Sequence, residues 1–262
     1  MRKFVAKIAS LGFEVSRADV TRLQQFAQQA SIDSTHFQWI RQTLVYESWL
    51  SRKESMILWH ADPQRRDTSL LVLSLVNGDP DLDIRERENS TKPCIVSYFC
   101  NPNYPNGFFR DSRPSFEFEA GFLVLHSIIS QLLHQEPDLV DSVLRGMPQP
   151  LEGRVLLVDC FIRPQRWAKV KGKEALHQLL SRVLNLRRHT DLRVYIDGLT
   201  KLDTKGRSDV LSTLLRITSD HSQHCKVFIT TELKDDVCEL LEGSEYVDQS
   251  TERKGTTLTL LC

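Results

Sequence analysis

Short apolar runs alternate with helix-like patterns along most of this chain. Strand-like runs lie at residues 56–59, 94–100, 192–196, 226–230 and 256–261. Apolar residues at helical spacing lie at residues 69–76, 118–135, 173–188, 208–219 and 234–241. Strands that alternate with helices predict a mainly parallel sheet covered on both faces, so we expect a three-layer α/β domain. The residues expected to be buried in that sheet are Leu58, Val96, Phe99, Val194, Ile196, Val227 and Ile229.

Two helical patterns precede the first strand. One covers residues 16–30, and the other runs from Ser34, a typical N-cap residue, to Leu50. We therefore predict an N-terminal helical annex at residues 1–54 and a main domain at residues 55–262. Trp39 and Trp49 are expected to anchor the annex to that domain.

Composition narrows the function classes. Lys+Arg and Asp+Glu are balanced at 34 each, which gives no reason to expect nucleic acid or a membrane surface as a partner. The six cysteines occur singly, as buried free thiols in a reducing compartment would. No apolar stretch approaches the roughly 20 residues that span a bilayer, and a cytoplasmic location is expected. The eight histidines are scattered without metal-ligand spacing.

The ends of three predicted strands carry the informative polar residues. In a parallel sheet, ligands bind beyond the carboxyl ends of the strands. The first strand leads into a loop and then a helix, and the frame G-x-x-x-x-G-K-[ST] fits with Ala61, Arg66, Asp67 and Thr68 at its four defining positions. Only the hydroxyl is kept, so this match carries no weight without its context.

The other two strand ends supply that context. Residues 192–196 lead into Asp197, the setting of the acidic residue that holds Mg²⁺ in P-loop NTPases, although a strand-terminating Asp-Gly turn explains it as well. Residues 226–229 lead into Thr230 and Thr231, where a polar sensor group is often found.

Taken together, these blocks resemble the fungal-type NACHT branch of the STAND P-loop NTPases over roughly residues 10–262. The matching blocks follow in order: Phe37-Gln-Trp39, Ile57-Leu-Trp59, Thr68-Ser69, residues 96–101, Gln131-Leu-Leu, residues 195–199 and residues 228–231. The resemblance implies a P-loop NTPase-like fold and a chain that stops before the winged-helix and repeat domains.

The departures from the family pattern decide the expected activity. Ala61, Gln64 and Arg66 replace the loop glycines, which let backbone N–H groups approach phosphate closely. Asp67 replaces the phosphate-binding lysine, and an anion there repels phosphate by several kcal/mol, an order-of-magnitude figure. Thr200-Lys201 replaces the acidic pair that activates water, and Glu232 replaces an arginine.

We therefore expect a pseudo-NTPase with no catalytic residue and no cofactor, which acts through protein partners such as NACHT-type relatives. The alternative is a divergent NTPase that binds Mg-ATP or Mg-GTP weakly. In that case Arg65 and Arg66 reach the phosphates, and Thr68 and Asp197 hold the metal. The degenerate phosphate loop then comprises Ala61, Arg65, Arg66, Asp67, Thr68 and Ser69.

Overall fold

The structure is a computed structural model of the whole chain. It describes residues 34–52, 54–62, 68–76, 94–100, 120–136, 139, 142, 172–186, 191–219, 224–232, 247–253 and 256–261. The helices expected at residues 16–30 and 234–241 lie outside the described residues, as does most of the loop between residues 61 and 68.

Six strands form one sheet in the order β2-β3-β4-β1-β6-β5. Their bounds are Met56–Ala61 (β1), Cys94–Phe99 (β2), Leu192–Asp197 (β3), Cys225–Thr231 (β4), Val247–Arg253 (β5) and Thr256–Leu261 (β6). The first four strands run parallel to one another. β6 runs antiparallel to both β1 and β5, which form its two neighbours. The expected mainly parallel α/β sheet is therefore confirmed.

Six α-helices flank this sheet in the described part of the chain. Their bounds are Ser34–Arg41 (α1), Leu44–Ser51 (α2), Thr68–Val76 (α3), Ala120–Gln135 (α4), Gly172–Leu186 (α5) and Thr204–Thr218 (α6). A 3₁₀ turn at Leu199–Lys201 joins β3 to α6. Asp203 caps α6, because its side chain accepts a hydrogen bond from Gly206 N at 2.7 Å.

One face of the sheet packs against α4, α5 and α6. Alternate residues of β1 to β4 point into this core, among them Val96, Val194, Val227 and Ile229, each no more than 1% exposed. The long apolar stripe of α4 lies over them. Because β3 and β4 are buried on both faces, apolar residues predominate in their sequences, and the charged residues Arg193 and Lys226 are themselves buried.

The opposite face packs against α1, α2 and α3. Trp49 of α2 is fully buried, and its ring centroid lies 6.3 Å from that of Tyr195 and 6.1 Å from that of Phe228. The buried ammonium group of Lys226 in β4 donates a hydrogen bond to the Leu50 carbonyl at the end of α2. The two described N-terminal helices thus lie against the sheet, and helices cover both of its faces.

Three local features differ from the sequence expectation. The helix expected from Ser34 to Leu50 is two helices, because Thr43 ends one and caps the next. Its hydroxyl donates to the Ile40 carbonyl and accepts from Tyr46 N. Phe99 is only half buried, since it is the last residue of a strand at the side of the sheet. β5 was not predicted, because Val247–Arg253 shows no apolar alternation.

Candidate functional site

The carboxyl ends of β1, β3 and β4 meet beside the N-terminus of α3. The parallel register places Ala61 opposite Thr231, and Ile196 opposite Ile229 one residue before Asp197. The residues singled out at three strand ends therefore share one edge of the sheet, where a ligand of such a fold would bind.

Asp197 is the centre of this edge, and its side chain is only 1% exposed. Its Oδ1 accepts a hydrogen bond from Thr230 Oγ1 at 2.7 Å, and its Oδ2 accepts one from Ser69 Oγ at 2.5 Å. Thr230 Oγ1 also accepts a bond from Gly198 N at 3.0 Å. One carboxyl group therefore joins the ends of two strands to the first turn of a helix.

Lys201 places a positive charge beside the same carboxyl group. Its Nζ lies 3.9 Å from Asp197 Oδ2, and its side chain is 38% exposed. The side chain reaches back across Gly198, whose φ of +70° is in the left-handed region that favours glycine. A Cβ on Gly198 would lie 3.0 Å from the Lys201 Cδ, Cε and Nζ atoms. The missing side chain at Gly198 therefore lets the ammonium group approach.

Hydrogen bonds also tie β4 to β1 and to the 3₁₀ turn. Trp59 Nε1 donates to Thr231 Oγ1 at 3.0 Å, and Asp62 N donates to the Thr231 carbonyl at 2.9 Å. Glu232 N donates to Thr200 Oγ1 at 3.3 Å. The two threonines expected at a sensor position therefore form hydrogen bonds to neighbouring strands. Thr231 bonds β1, and Thr230 bonds the end of β3.

The pKa of the Cys100 thiol depends on both charges at this edge of the sheet. Cys100 follows β2, is buried, and donates its backbone N–H to the Asp197 carbonyl at 2.9 Å. Burial raises the pKa of the Cys100 thiol well above its ordinary value; the nearby Asp197 charge raises the pKa further, and Lys201 opposes that rise. Both charges of the pair therefore act on this corner of the sheet.

The sequence-predicted site residues are only partly brought together. Ala61 ends β1 and is buried, Thr68 and Ser69 begin α3, and Asp197 ends β3. Arg65, Arg66 and Asp67 lie outside the described residues. The sequence paired Thr68 with Asp197 as the metal ligands, whereas in the structure Ser69 supplies the hydroxyl that bonds Asp197. Thr68 and Ser69 are neighbours in the sequence, so the sequence alone does not show which hydroxyl faces the strand end.

The residues at this edge do not fit a Mg²⁺ ion well. Magnesium requires oxygen ligands in near-octahedral geometry. Here both oxygens of Asp197 accept hydrogen bonds from hydroxyl groups, and an ammonium group lies 3.9 Å away. A divalent cation placed next to Lys201 meets a repulsion on the order of several kcal/mol, less where solvent screens the exposed side chain.

A second polar cluster lies away from the strand ends, where α4, α5 and α6 meet. Asp209 accepts a hydrogen bond from Gly121 N at 2.6 Å and an ion-pair contact from Lys173. Arg216 and Glu174 form a two-point ion pair at 2.6 and 2.8 Å nearby. The partners of Asp209 come from two other helices, so no local pattern reveals them.

Comparison with known proteins adds no assignment: no protein family, curated protein or solved structure matches the chain. Within the described residues, no group of three or more His, Cys, Asp and Glu side chains is placed to hold a metal ion. No helix in that part of the chain is both long and apolar enough to cross a membrane.

Proposed function

We propose that this chain is a non-catalytic, P-loop NTPase-like domain that acts by binding other proteins. The observation that carries the proposal is the arrangement around Asp197. Its two oxygens bond Ser69 and Thr230, and Lys201 brings a positive charge to 3.9 Å. The carboxyl group thus holds the sheet edge together, and the positive charge that lies beside it comes from the same chain.

This arrangement argues against nucleotide hydrolysis on electrostatic grounds. Phosphoryl transfer depends on cations that neutralise developing charge and on an acid or amide that orients water. The turn after Asp197 supplies Thr200 and Lys201, and Thr200 Oγ1 accepts a bond from Glu232 N. Neither residue is an acid able to take a proton from water.

The protein-binding part of the proposal rests on the resemblance to NACHT-type domains. Those domains act as switches inside signalling proteins, so a member without catalysis retains its surfaces as its means of action. The partners we propose are intact relatives of the same type.

One observation favours a second candidate, weak nucleotide binding without hydrolysis. Ser69 lies in the first turn of α3, and its hydroxyl bonds the strand-end carboxyl group of Asp197. A helix N-terminus beside a strand end is a favourable place for a phosphate group. Binding at that place would use backbone N–H groups and need no catalytic side chain.

Phosphate release from ATP and GTP in the presence of Mg²⁺ tests the catalytic part. We expect the wild-type chain to match a buffer blank, and the Asp197→Ala variant to match it too. Steady release from the wild-type chain that Asp197→Ala abolishes, with both proteins folded, would refute the proposal.

A direct binding measurement tests the protein-binding part. The chain is immobilised, and a purified fungal-type NACHT domain that keeps all its motifs is passed over it with and without Mg-ATP. We expect saturable binding, while an unrelated α/β domain of similar size serves as control. Equal signals from the NACHT domain and the control would refute that part and leave the catalytic conclusion standing.

A further inference from the structure

β2 is the last strand on its side of the described sheet. In a parallel pair, alternate residues direct their N–H and C=O groups toward the neighbouring strand. Cys94 N bonds the Asp191 carbonyl and Cys100 N bonds the Asp197 carbonyl, so the even-numbered residues face β3. Ile95 and Ser97 therefore direct their main-chain groups away from the sheet.

The side chain of Gln131, from the buried stripe of α4, covers both main-chain groups of Ser97. Its Oε1 accepts a hydrogen bond from Ser97 N at 3.0 Å, and its Nε2 donates one to the Ser97 carbonyl at 2.7 Å. This two-point contact has the donor and acceptor pattern of a neighbouring strand residue. Gln131 is 4% exposed, so the contact lies under the helix rather than in solvent.

Gln135, one turn further along α4, extends the same cover. Its Nε2 donates to the Ile95 carbonyl at 2.7 Å, and its Oε1 accepts a bond from Cys94 Sγ at 2.8 Å. Gln131 Nε2 also donates to Ser127 Oγ at 3.0 Å. An inverted Gln131 amide would set its oxygen against the Ser97 carbonyl, so the network fixes the orientation seen.

We infer that Gln131 and Gln135 form a built-in edge guard that keeps β2 from adding a further strand. Three outward main-chain groups, Ser97 N, Ser97 O and Ile95 O, already have side-chain partners from α4. An incoming strand must displace these bonds before it pairs.

The strand beneath this guard is well suited to pairing with another copy of itself. Cys94–Phe99 reads CIVSYF, with no charge, no proline and no glycine. Exposed edges of that composition associate readily, and proteins usually protect them with charged residues or proline. In this chain the helix amides take that role, so removing them exposes β2 to the β2 strand of a second copy.

The Gln131→Leu substitution tests the inference in the full chain. Leucine keeps the size of the side chain and removes all three of its hydrogen bonds. The weight-average mass, measured by light scattering across a hundredfold concentration range, is expected to rise at least twofold above that of the wild type. Gln38→Leu, at an exposed position of α1, is the matched control and should behave as the wild type.

A proline at position 97 distinguishes strand addition from nonspecific aggregation. Because Ser97 N points away from β3, the Ser97→Pro change leaves the sheet bonds in place and removes the donor that a new strand needs. The double variant Gln131→Leu/Ser97→Pro should return to the wild-type mass. Association that persists in the double variant would overturn strand addition as the cause.

Hydrogen exchange of the wild-type chain gives a test that needs no variant. The amide proton of Ser97 is expected to exchange as slowly as that of Cys94, whose N–H bonds the sheet. Exchange of Ser97 at the rate of an open amide would overturn the guard. So would a folded Gln131→Leu variant with wild-type mass at every concentration.

Discussion

Thr230 Oγ1 donates a hydrogen bond to Asp197 Oδ1 at 2.7 Å, and it accepts one from Gly198 N at 3.0 Å. A single buried hydroxyl thus joins the ends of β3 and β4 through residues that lie 33 positions apart. The Asp197 carboxyl group therefore forms part of a structural junction between two strand ends.

The Thr230→Val substitution is expected to destabilise the fold. Valine keeps the shape of threonine but leaves both Asp197 Oδ1 and Gly198 N without this partner in a fully buried place. Leaving buried polar groups unpaired costs about 2 to 3 kcal/mol in the free energy of unfolding. Urea denaturation measures the loss. Thr204→Val, at an exposed position in the first turn of α6, should change stability by less than about 0.5 kcal/mol. Equal effects of the two changes would contradict the junction.

The Gly121→Ala substitution is expected to separate α4 from α6. An added Cβ would lie 2.4 Å from Thr213 Oγ1 and 2.9 Å from the Asp209 carbonyl oxygen, and the backbone oxygen has little freedom to move. Overpacking of this kind costs about 1 to 3 kcal/mol.

Gly206→Ala is the comparison for that change. Its added Cβ would lie 2.8 Å from Asp203 Oδ1, a side-chain atom that can shift more easily than the Asp209 backbone oxygen. Thermal unfolding of both variants should show the larger loss for Gly121→Ala. The reverse order would show that the two helices do not cross at Gly121 as described.

Acid is expected to weaken the fold through His177. Burial, followed by the charges of Arg216 and Lys173, lowers the pKa of His177 from 6.5 to about 4, although Glu174 and Asp209 act in the opposite direction. Between these two pH values the unfolded chain binds a proton that the folded chain does not. The free energy of unfolding therefore falls as the pH is lowered from 6.5 to 4, by on the order of 2 to 3 kcal/mol from this residue.

Comparison with His177→Gln isolates that contribution, because carboxyl groups also titrate in this range. The slope of stability against pH between 6.5 and 4 should be shallower in His177→Gln than in the wild type. His134→Gln, at an exposed position of α4, controls for the loss of a histidine. A wild-type slope in His177→Gln would contradict the buried, uncharged state of His177.

The thiols of Cys100 and Cys225 are expected to resist alkylation in the folded chain. Both are buried, and burial raises the pKa of Cys225 to about 12. Since the thiolate is the reactive form, little of it is present at neutral pH. Mapping of iodoacetamide adducts by mass spectrometry should find both sites unmodified until denaturant is added. Labelling of Cys100 at the rate of a free thiol would contradict the described burial.

The sequence predicted the sheet better than it predicted the site. Short runs that are mostly apolar, such as Leu192–Asp197, identify strands buried on both faces, because a strand covered by helices on both sides has no position that faces solvent. β5 was not predicted, because Val247–Arg253 is mostly polar and pairs with β6 through main-chain groups. The predicted and observed helix boundaries differ by a few residues where a single side chain decides the helix end, as Thr43 does.

The contacts of the candidate site depend on three-dimensional positions that no short motif contains. Ser69 and Asp197 are separated by 128 positions, and the sequence does not show which of the adjacent hydroxyl residues, Thr68 or Ser69, reaches the strand end. The approach of Lys201 to Asp197 had a local signal, since the two residues are four apart and opposite in charge. Lys201 was interpreted only as the replacement of an acidic residue, and its ion pair with Asp197 was not predicted.

The central claim of the proposed function is that residues 61–69 and the Asp197 edge do not form a nucleotide site, and calorimetry tests it most directly. Mg-ATP is titrated into the wild-type chain and into the variant Ala61→Gly, Gln64→Gly, Arg66→Gly, Asp67→Lys, after both are shown to be folded. The variant restores the glycines and the phosphate-binding cation, so its affinity should exceed that of the wild type by roughly two or more decades. Wild-type affinity equal to or tighter than that of the variant would show a working alternative site and contradict the account.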